Sequence, residues 1–240
     1  MITQAQINQH DQIINRFVQQ FTRGIRPLFN TVFNEIAALG SSVSRTAILA
    51  LFAPIRNYIQ QAFNNLDTVI RSNQNLTASE IDSTIPAIEL EQLRAEASVA
   101  VLNQLQTEQQ SIIQTLVLGA ITGIAIAPLL SQLRTGLTRA IDRLKTAFDF
   151  IVRNFDGALT LIRSRLAGIE KFKYVGGTIA TTRDFCRSHN GKIYTTAEIN
   201  RIWRSQTWGG KAPGNPFVVR GGYNCRHMFV PVKEETRASA

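Results

Sequence analysis

The chain ends in a compact stretch bracketed by two motifs, Thr182-Arg183-Asp184-Phe185-Cys186-Arg187 and Gly221-Gly222-Tyr223-Asn224-Cys225-Arg226-His227. Residues 176–232 contain both cysteines, both tryptophans and two of the three histidines. Residues 171–240 carry 12 Lys and Arg against 4 Asp and Glu, which accounts for +8 of the net charge of +9. Clustered positive charge favours an anionic partner such as nucleic acid or a lipid surface, and a merely solvated cationic surface explains it equally well.

Upstream of this stretch, apolar residues recur at steps of three and four, the period of an amphipathic helix. Pro54 is expected to interrupt the second run, and Gly40 and Gly168 to mark helix ends. Ser72 to Asn75 reads as a turn, and Thr77 to Glu80 has the spacing of a capping box. The predicted helical runs are residues 7–39, 43–70, 86–118 and 129–169.

From Lys171 the pattern changes to short, aromatic and β-branched segments separated by glycine. It predicts strands near 172–180, 217–219 and 227–232, a helical turn at 183–188, and a helix after the capping box Thr195 to Glu198. We therefore predict a mostly α protein. Long amphipathic helices form an N-terminal body for oligomeric packing, residues 1–170, and a small basic α+β unit follows, residues 171–240, called here the C-terminal module.

Residues 109–133 contain no charged side chain and include Gly119-x-x-x-Gly123, a spacing that lets apolar helices approach closely. A buried hairpin or a tight oligomer contact is the favoured interpretation, because Pro128 interrupts the run. The alternative is a membrane-active segment, since the length just suffices for a bilayer. Residues 1–10 are polar and rich in Gln, so no secretion signal is expected there.

Cys186-x-x-His189 and Cys225-x-His227 together supply the ligand count of a tetrahedral zinc site. The single residue between Cys225 and His227 is tighter than the usual spacing of structural zinc ligands. A disulfide or a close thiol pair between Cys186 and Cys225 is therefore favoured over zinc, and no other cofactor is expected.

Two further functions are considered for the same stretch, a nuclease and the binding of nucleic acid or another anionic surface. His227 with Asp184, Asn224 and Arg226 offers the elements of a nuclease site, but a structural role is favoured and no catalytic residue is assigned. Aromatic residues alternate with cations, a pattern that suits nucleic acid and equally a small core. The cations expected to meet DNA or another anionic surface are Lys192, Arg201, Arg204, Lys211, Arg220 and Arg226.

The motifs Arg183-Asp184-Phe185-Cys186, Gly191-Lys192-Ile193-Tyr194 and Asn224-Cys225-Arg226-His227 resemble the C-terminal module of Mu F-like minor head, or head morphogenesis, proteins of tailed bacteriophages. The resemblance is confined to residues from about 180 onward. The commoner version of that group has two close cysteines upstream and a Cys-Arg-Cys ending. Here His189 and His227 stand near those places.

The resemblance implies a low-copy virion protein near the portal, made in the host cytoplasm and packed with the head. Its partners would be the portal or other virion proteins, further copies of itself, and double-stranded DNA. One alternative is an ejected protein whose residues 109–133 enter the host membrane during genome delivery. The other is a nuclease or toxin module centred on His227.

Overall fold

A computed structural model describes residues 2–40, 44–78, 81 and 84–233. Helices hold 73% of these residues, and a small antiparallel sheet lies at the C-terminal end, which confirms the predicted fold class. The long helices are α1 (Gln4–Leu39), α5 (Ala87–Thr122) and α6 (Ile126–Leu166). The shorter elements are α2 (Arg45–Leu51), α3 (Ala53–Asn64), α4 (Asp67–Thr77), β1 (Lys171–Val175), α7 (Asp184–His189), β2 (Ile193–Thr195), α8 (Thr196–Ser205), α9 (Pro216–Val219) and β3 (Met228–Pro231).

The chain forms two compact units that do not follow chain order. The first unit comprises Met1–Asn15, Asp67–Leu93 and Val152–Ala240, and the second comprises Arg16–Leu66 and Arg94–Ile151. The boundary expected after residue 170 falls inside the first unit, which joins the C-terminal module to segments of α1, α4 and α6. Sequence periodicity cannot reveal this, because each long helix continues through the residue at which the units divide.

An aromatic cluster forms the interior of the second unit. The Phe148 ring stacks on Phe21 with centroids 3.7 Å apart and also contacts Phe17 and Phe63. The Tyr58 hydroxyl occupies the space beside Gly24 and donates to the Gln20 and Phe21 carbonyls at 3.3 Å, so this position of α1 requires glycine. These contacts follow from the apolar stripes that the sequence displays on α1, α3 and α6.

The predicted interruption at Pro54 is confirmed, because α2 ends at Leu51 and Pro54 lies in the first turn of α3. Gly40 and Gly168 have φ of 60° and 67° and follow the ends of α1 and α6, as predicted. The turn predicted at residues 72–75 is wrong, since these residues continue α4. In the predicted capping box Thr77 belongs to the last turn of α4, and residues 79–80 lie outside the described part of the chain.

The sheet of the C-terminal module has the order β2-β1-β3, with both pairs antiparallel. Phe172 of β1 lies opposite Tyr194 of β2 and Pro231 of β3. The strand predicted at 217–219 is wrong: α9 is a single helical turn whose cap, Asn215, accepts from the Phe217 amide at 3.0 Å. An Asn-Pro pair favours a helix start, and this local preference outweighs the β-branched residues that follow.

The capping box at the start of α8 is confirmed, with Thr195 and Glu198 each bonding the other's backbone amide. This cap turns the chain directly from β2 into α8. Ile199 and Trp203 of α8 are buried, so the helix packs against the module's interior while its opposite face is exposed.

Candidate functional site

A buried polar network lies where the C-terminal module meets the helices of the first unit. Asp156 of α6 is fully buried and receives hydrogen bonds from Arg220 Nη2 at 2.6 Å and Asn73 Nδ2 at 2.8 Å. His10 Nε2 lies 2.9 Å from the same carboxylate, and His10 Nδ1 lies 2.7 Å from Ser72 Oγ. The network thus joins α1, α4, α6 and the residue that follows α9.

The charges around Asp156 decide its ionisation. Burial by itself raises the pKa of the carboxyl, but His10, Arg220 and the Asn73 amide together hold that pKa well below its usual value. Asp156 is therefore a carboxylate that balances buried positive charge. Nε and Nη1 of Arg220 have no hydrogen-bond partner among the described residues, so the arrangement costs free energy and specifies geometry.

One expectation changes at this network, and one resemblance to a catalytic site is removed by burial. Arg220, predicted to meet DNA, is 2% exposed and ion-paired with Asp156, so it is not available to an outside phosphate. Ser72, His10 and Asp156 share the residue types of a hydrolase triad, but their exposures are 8%, 2% and 0%. A substrate cannot reach such a serine, and the group is structural.

Cys186 and Cys225 form the centre of the second polar cluster. α7 carries Cys186, the glycine turn before β3 carries Cys225, and their sulfurs lie 3.7 Å apart. A disulfide requires about 2.05 Å, so these are free thiols in a close pair. Tyr174 Oη lies 3.4 Å from each sulfur. A Cβ on Gly221 would fall 2.5 and 2.6 Å from the two sulfurs, so only glycine lets the turn approach them.

His227 completes the cluster. Its Nδ1 lies 3.9 Å from Cys225 Sγ, and its ring stacks on Tyr174 at 5.2 Å between centroids. The side chain is buried, and its Nε2 has no hydrogen-bond partner among the described residues. Cys186, Cys225 and His227 each offer a ligand atom, and these atoms all lie within 4.8 Å of one another.

His189, predicted as a fourth zinc ligand, does not join this cluster. Its Nδ1 bonds the Tyr194 hydroxyl at 2.7 Å, and its Nε2 lies 3.4 Å from Gln206 Oε1. The ring also packs on Phe185, with centroids 4.4 Å apart. Burial lowers the pKa of His189, which favours the neutral ring. The expected zinc site of four ligands is therefore corrected to three candidate ligands, Cys186, Cys225 and His227.

The close contact shifts the pKa values of the two thiols in opposite directions. The hydrogen bond from Cys186, helped by His227 and Tyr174, holds the pKa of Cys225 well below that of an ordinary thiol, although burial acts in the opposite direction. The same hydrogen bond, together with burial, raises the pKa of Cys186. Cys225 is thus the more acidic thiol of the pair.

A cavity of about 430 Å³ opens beside the cluster. Its lining includes all three cluster residues, Arg183, and Asp11 of α1. Arg183 Nε donates to the Gly209 carbonyl at 2.7 Å, and its Nη2 donates to the Tyr223 carbonyl. Arg183 therefore ties the loop before α9 and the glycine turn to the start of α7, which explains why the two sequence motifs close one unit.

The basic residues separate into two groups. Lys192, Arg201, Arg204 and Arg226 are exposed, as a DNA contact requires. Lys211, by contrast, donates to the Trp203 and Gln206 carbonyls and lies 5.0 Å from the Trp208 ring. Inside the module Trp208 stacks on Phe185, and Trp203 meets the same ring edge-on. These rings belong to the core, and four of the six cations predicted to meet an anionic partner remain exposed.

Residues 109–133 form a helical hairpin in the second unit. Ile112, Ile113 and Leu116 are buried, and the Ile124 amide closes the turn on the Gly119 carbonyl at 3.1 Å. The side chains at the tip, in contrast, are 39–76% exposed: Val117, Leu118, Ile121 and Ile124. Among the described residues, no helix combines the length and apolar character needed to cross a bilayer.

No family model, no curated protein and no solved structure matches this chain. The likeness to Mu F-like proteins therefore rests on the motifs between residues 182 and 232. Sequence reasoning missed the Asp156 network altogether. Its one visible signal is a series of polar residues, Asp156, Thr160 and Arg163, on the otherwise apolar stripe of α6.

Proposed function

We propose that this chain is a structural protein of a tailed-bacteriophage particle, associated with the head or portal, and that it is not an enzyme. It is made in the host cytoplasm and assembles with portal or other virion proteins and with further copies of itself. The motifs Arg183–Cys186 and Asn224–His227 support the proposal, because these two parts of the Mu F-like resemblance meet at one cluster.

The observation that carries the proposal is the attachment of the C-terminal module to the helices. Arg220 reaches Asp156 across the network, and a Cβ on Gly157 of α6 would fall 2.7 Å from the Phe217 carbonyl oxygen of α9. Such contacts hold the module in one orientation, whereas a tethered module would carry solvated residues at its boundary. A fixed module suits a protein that holds a place in an assembly.

The nuclease alternative has less support. Asp184, its expected acidic partner, is an exposed residue 3.4 Å from Arg187, and it is not among the residues that line the cavity beside His227. DNA incubated with the purified protein and Mg²⁺, Mn²⁺ or Zn²⁺ should stay intact. Cleavage that disappears in His227→Ala but persists in His189→Ala would contradict the structural proposal.

Quantitative mass spectrometry of purified particles tests the function directly. We expect the chain to remain with DNA-filled heads through density-gradient purification, at a fixed and low copy number per particle. A chain found only in the soluble lysate, with particles that are complete without it, would contradict the proposal.

Contact with packaged DNA is the next testable part. Arg201 and Arg204 lie one turn apart on the exposed face of α8, so their cations can meet neighbouring phosphates. Reversal of both charges to Glu should weaken binding of a DNA duplex at least about 10-fold and flatten its salt dependence. The matched control reverses Arg45 and Arg139, which are exposed in the second unit, and should change binding less. Equal losses of DNA affinity in both variants would show that α8 has no specific role in DNA binding.

The ejected, membrane-inserting protein is the second candidate, favoured by the exposed tip of the α5–α6 hairpin. Ile121→Glu places a charge on a side chain that is 76% exposed, so the fold should tolerate it. If the tip enters lipid, this variant should lose flotation with anionic vesicles, whereas Val99→Glu, on the same helix and 52% exposed, should retain it. No flotation of the wild-type protein would exclude this candidate.

A further inference from the structure

We propose that Cys186, Cys225 and His227 form a zinc site with three protein ligands whose fourth position opens into the adjoining cavity. The site is independent of the particle role, since it depends only on the geometry of the C-terminal module. His189, which sequence spacing placed among the ligands, has no part in it.

The spacing of the donor atoms fits zinc before any movement of the sulfurs. Zn–S bonds of about 2.3 Å and Zn–N bonds of about 2.0 Å at tetrahedral angles place two sulfurs about 3.8 Å apart and sulfur and nitrogen about 3.5 Å apart. The observed distances are 3.7 Å between the sulfurs and 3.9 Å from Cys225 Sγ to His227 Nδ1. All three donor atoms lie within 4.8 Å of one another, so the imidazole must move closer to the sulfurs to complete the tetrahedron, while the sulfurs can stay in place.

The imidazole provides an independent observation. His227 is 97% buried, its Nε2 has no hydrogen-bond partner among the described residues, and its Nδ1 makes only the 3.9 Å contact with sulfur. A buried imidazole whose Nδ1 makes only a long contact to sulfur lacks a strong partner there, and a metal ion at Nδ1 would supply one. Nε2 lies on the other side of the ring and is not satisfied by that ion. The unsatisfied nitrogens of Arg220 are different, because that side chain already forms a 2.6 Å ion pair.

The surroundings hold the three ligands in place. Tyr174 stacks on the His227 ring, and its hydroxyl lies within hydrogen-bonding distance of both sulfurs. Residues that contact metal ligands in this way commonly hold those ligands in the orientation that the metal requires. Gly176 lies so close to the ring that a Cβ would fall 2.6 Å from His227 Cγ. The ring therefore has no freedom to turn away from the sulfurs on that side.

The fourth position is assigned to water from the cavity. Three protein ligands and an open position are the arrangement of zinc sites that bind an exogenous group. A cavity of about 430 Å³ accommodates several waters, since each occupies about 30 Å³ in the liquid. Arg183 also lines this cavity, so a small anion is the chemical class expected to replace the water.

Metal analysis of the full-length protein, purified under reducing conditions without chelator, tests the proposal. We expect one zinc per chain, retained by His189→Ala, the matched control, and lost or weakened at least about 100-fold in His227→Ala. Tyr174→Phe should lower the affinity for zinc about 10-fold, because all three ligands remain and only the group that orients them is changed. Circular dichroism verifies that each variant is folded.

Cobalt substitution of the wild-type protein keeps the test independent of any variant that fails to fold. We expect a thiolate-to-cobalt charge-transfer band and a tetrahedral visible spectrum, with a spectral change on addition of azide because the fourth position is open. A spectrum that azide does not alter would overturn the open position. Absence of zinc and cobalt binding, in protein whose two thiols are shown by alkylation to be reduced, would overturn the site and leave a simple thiol pair.

Discussion

The two compact units both have aromatic residues in their interiors, but they differ in how their buried carboxylates are paired. In the second unit Phe148 contacts three other phenylalanines, and the buried Glu108 pairs with the half-exposed Arg143. The first unit contains a buried carboxylate, a histidine and an arginine at Asp156, His10 and Arg220, and the thiol cluster besides. Packed aromatic rings stabilise a core over a range of orientations. Buried charges, in contrast, require hydrogen-bonding partners at fixed distances. The contrast shows which part of the molecule is built to hold one geometry.

The largest effect should come from the carboxylate at the centre of this contrast. Asp156→Asn leaves Arg220 without a buried counter-charge and His10 without its carboxylate partner, and should lower the free energy of unfolding by about 3–5 kcal/mol. Glu108→Gln is the matched change in the second unit. It should cost about 1 kcal/mol, because its partner Arg143 is half-exposed and water can solvate it. Urea denaturation measures both, and equal losses would refute the contrast.

Two glycines of α6 give the next comparison. Gly157→Ala in the first unit forces a Cβ to within 2.7 Å of the Phe217 carbonyl oxygen and should cost about 1–3 kcal/mol. Gly136→Ala in the second unit meets no atom within 4 Å and should stabilise the helix by up to about 1 kcal/mol. Thermal denaturation of both variants checks the opposite signs. If Gly157→Ala leaves the stability unchanged, α9 does not pack closely against α6 at this position.

Lowering the pH should reduce the stability that Asp156 gives to the first unit, by a smaller amount and gradually. Because the pKa of Asp156 is lower in the folded than in the unfolded chain, its contribution is fully present above the unfolded pKa of about 4 and is lost as pH falls towards the folded pKa. The groups that face it are His10, Arg220 and Asn73. The loss of stability with falling pH should be shallower in Asp156→Asn, by up to about 1.4 kcal/mol per pH unit. Parallel pH curves for wild type and variant would contradict this.

Sequence predicted the helices well, because apolar periodicity and glycine or proline at the ends report directly on local structure. Two assignments failed where other forces prevailed. Residues 72–75 looked like a turn from their polarity, but Ser72 and Asn73 bond His10 and Asp156 inside the protein. Residues 217–219 looked like a strand, but the Asn215-Pro216 cap makes them helical.

The candidate site was predicted in part. Cys186, Cys225 and His227 were named from composition and spacing, and the structure brings them together. His189 and Arg220 have the same residue types as true ligands and DNA contacts, yet hydrogen bonds to Tyr194 and Asp156 occupy them. Arg220 and Asp156 are separated by 64 positions in the sequence. Local sequence patterns cannot predict a pair of residues so far apart.

Native-state hydrogen exchange on the full-length protein tests most directly whether the Asp156 network fixes the module to the helices. We expect amides of β1 and β3 to open together with amides of α4, and Asp156→Asn to lower the protection of both groups by the same free energy. If β1 and β3 keep their protection in the variant while α4 loses its own, the module folds independently and the Asp156 network does not fix it to the helices.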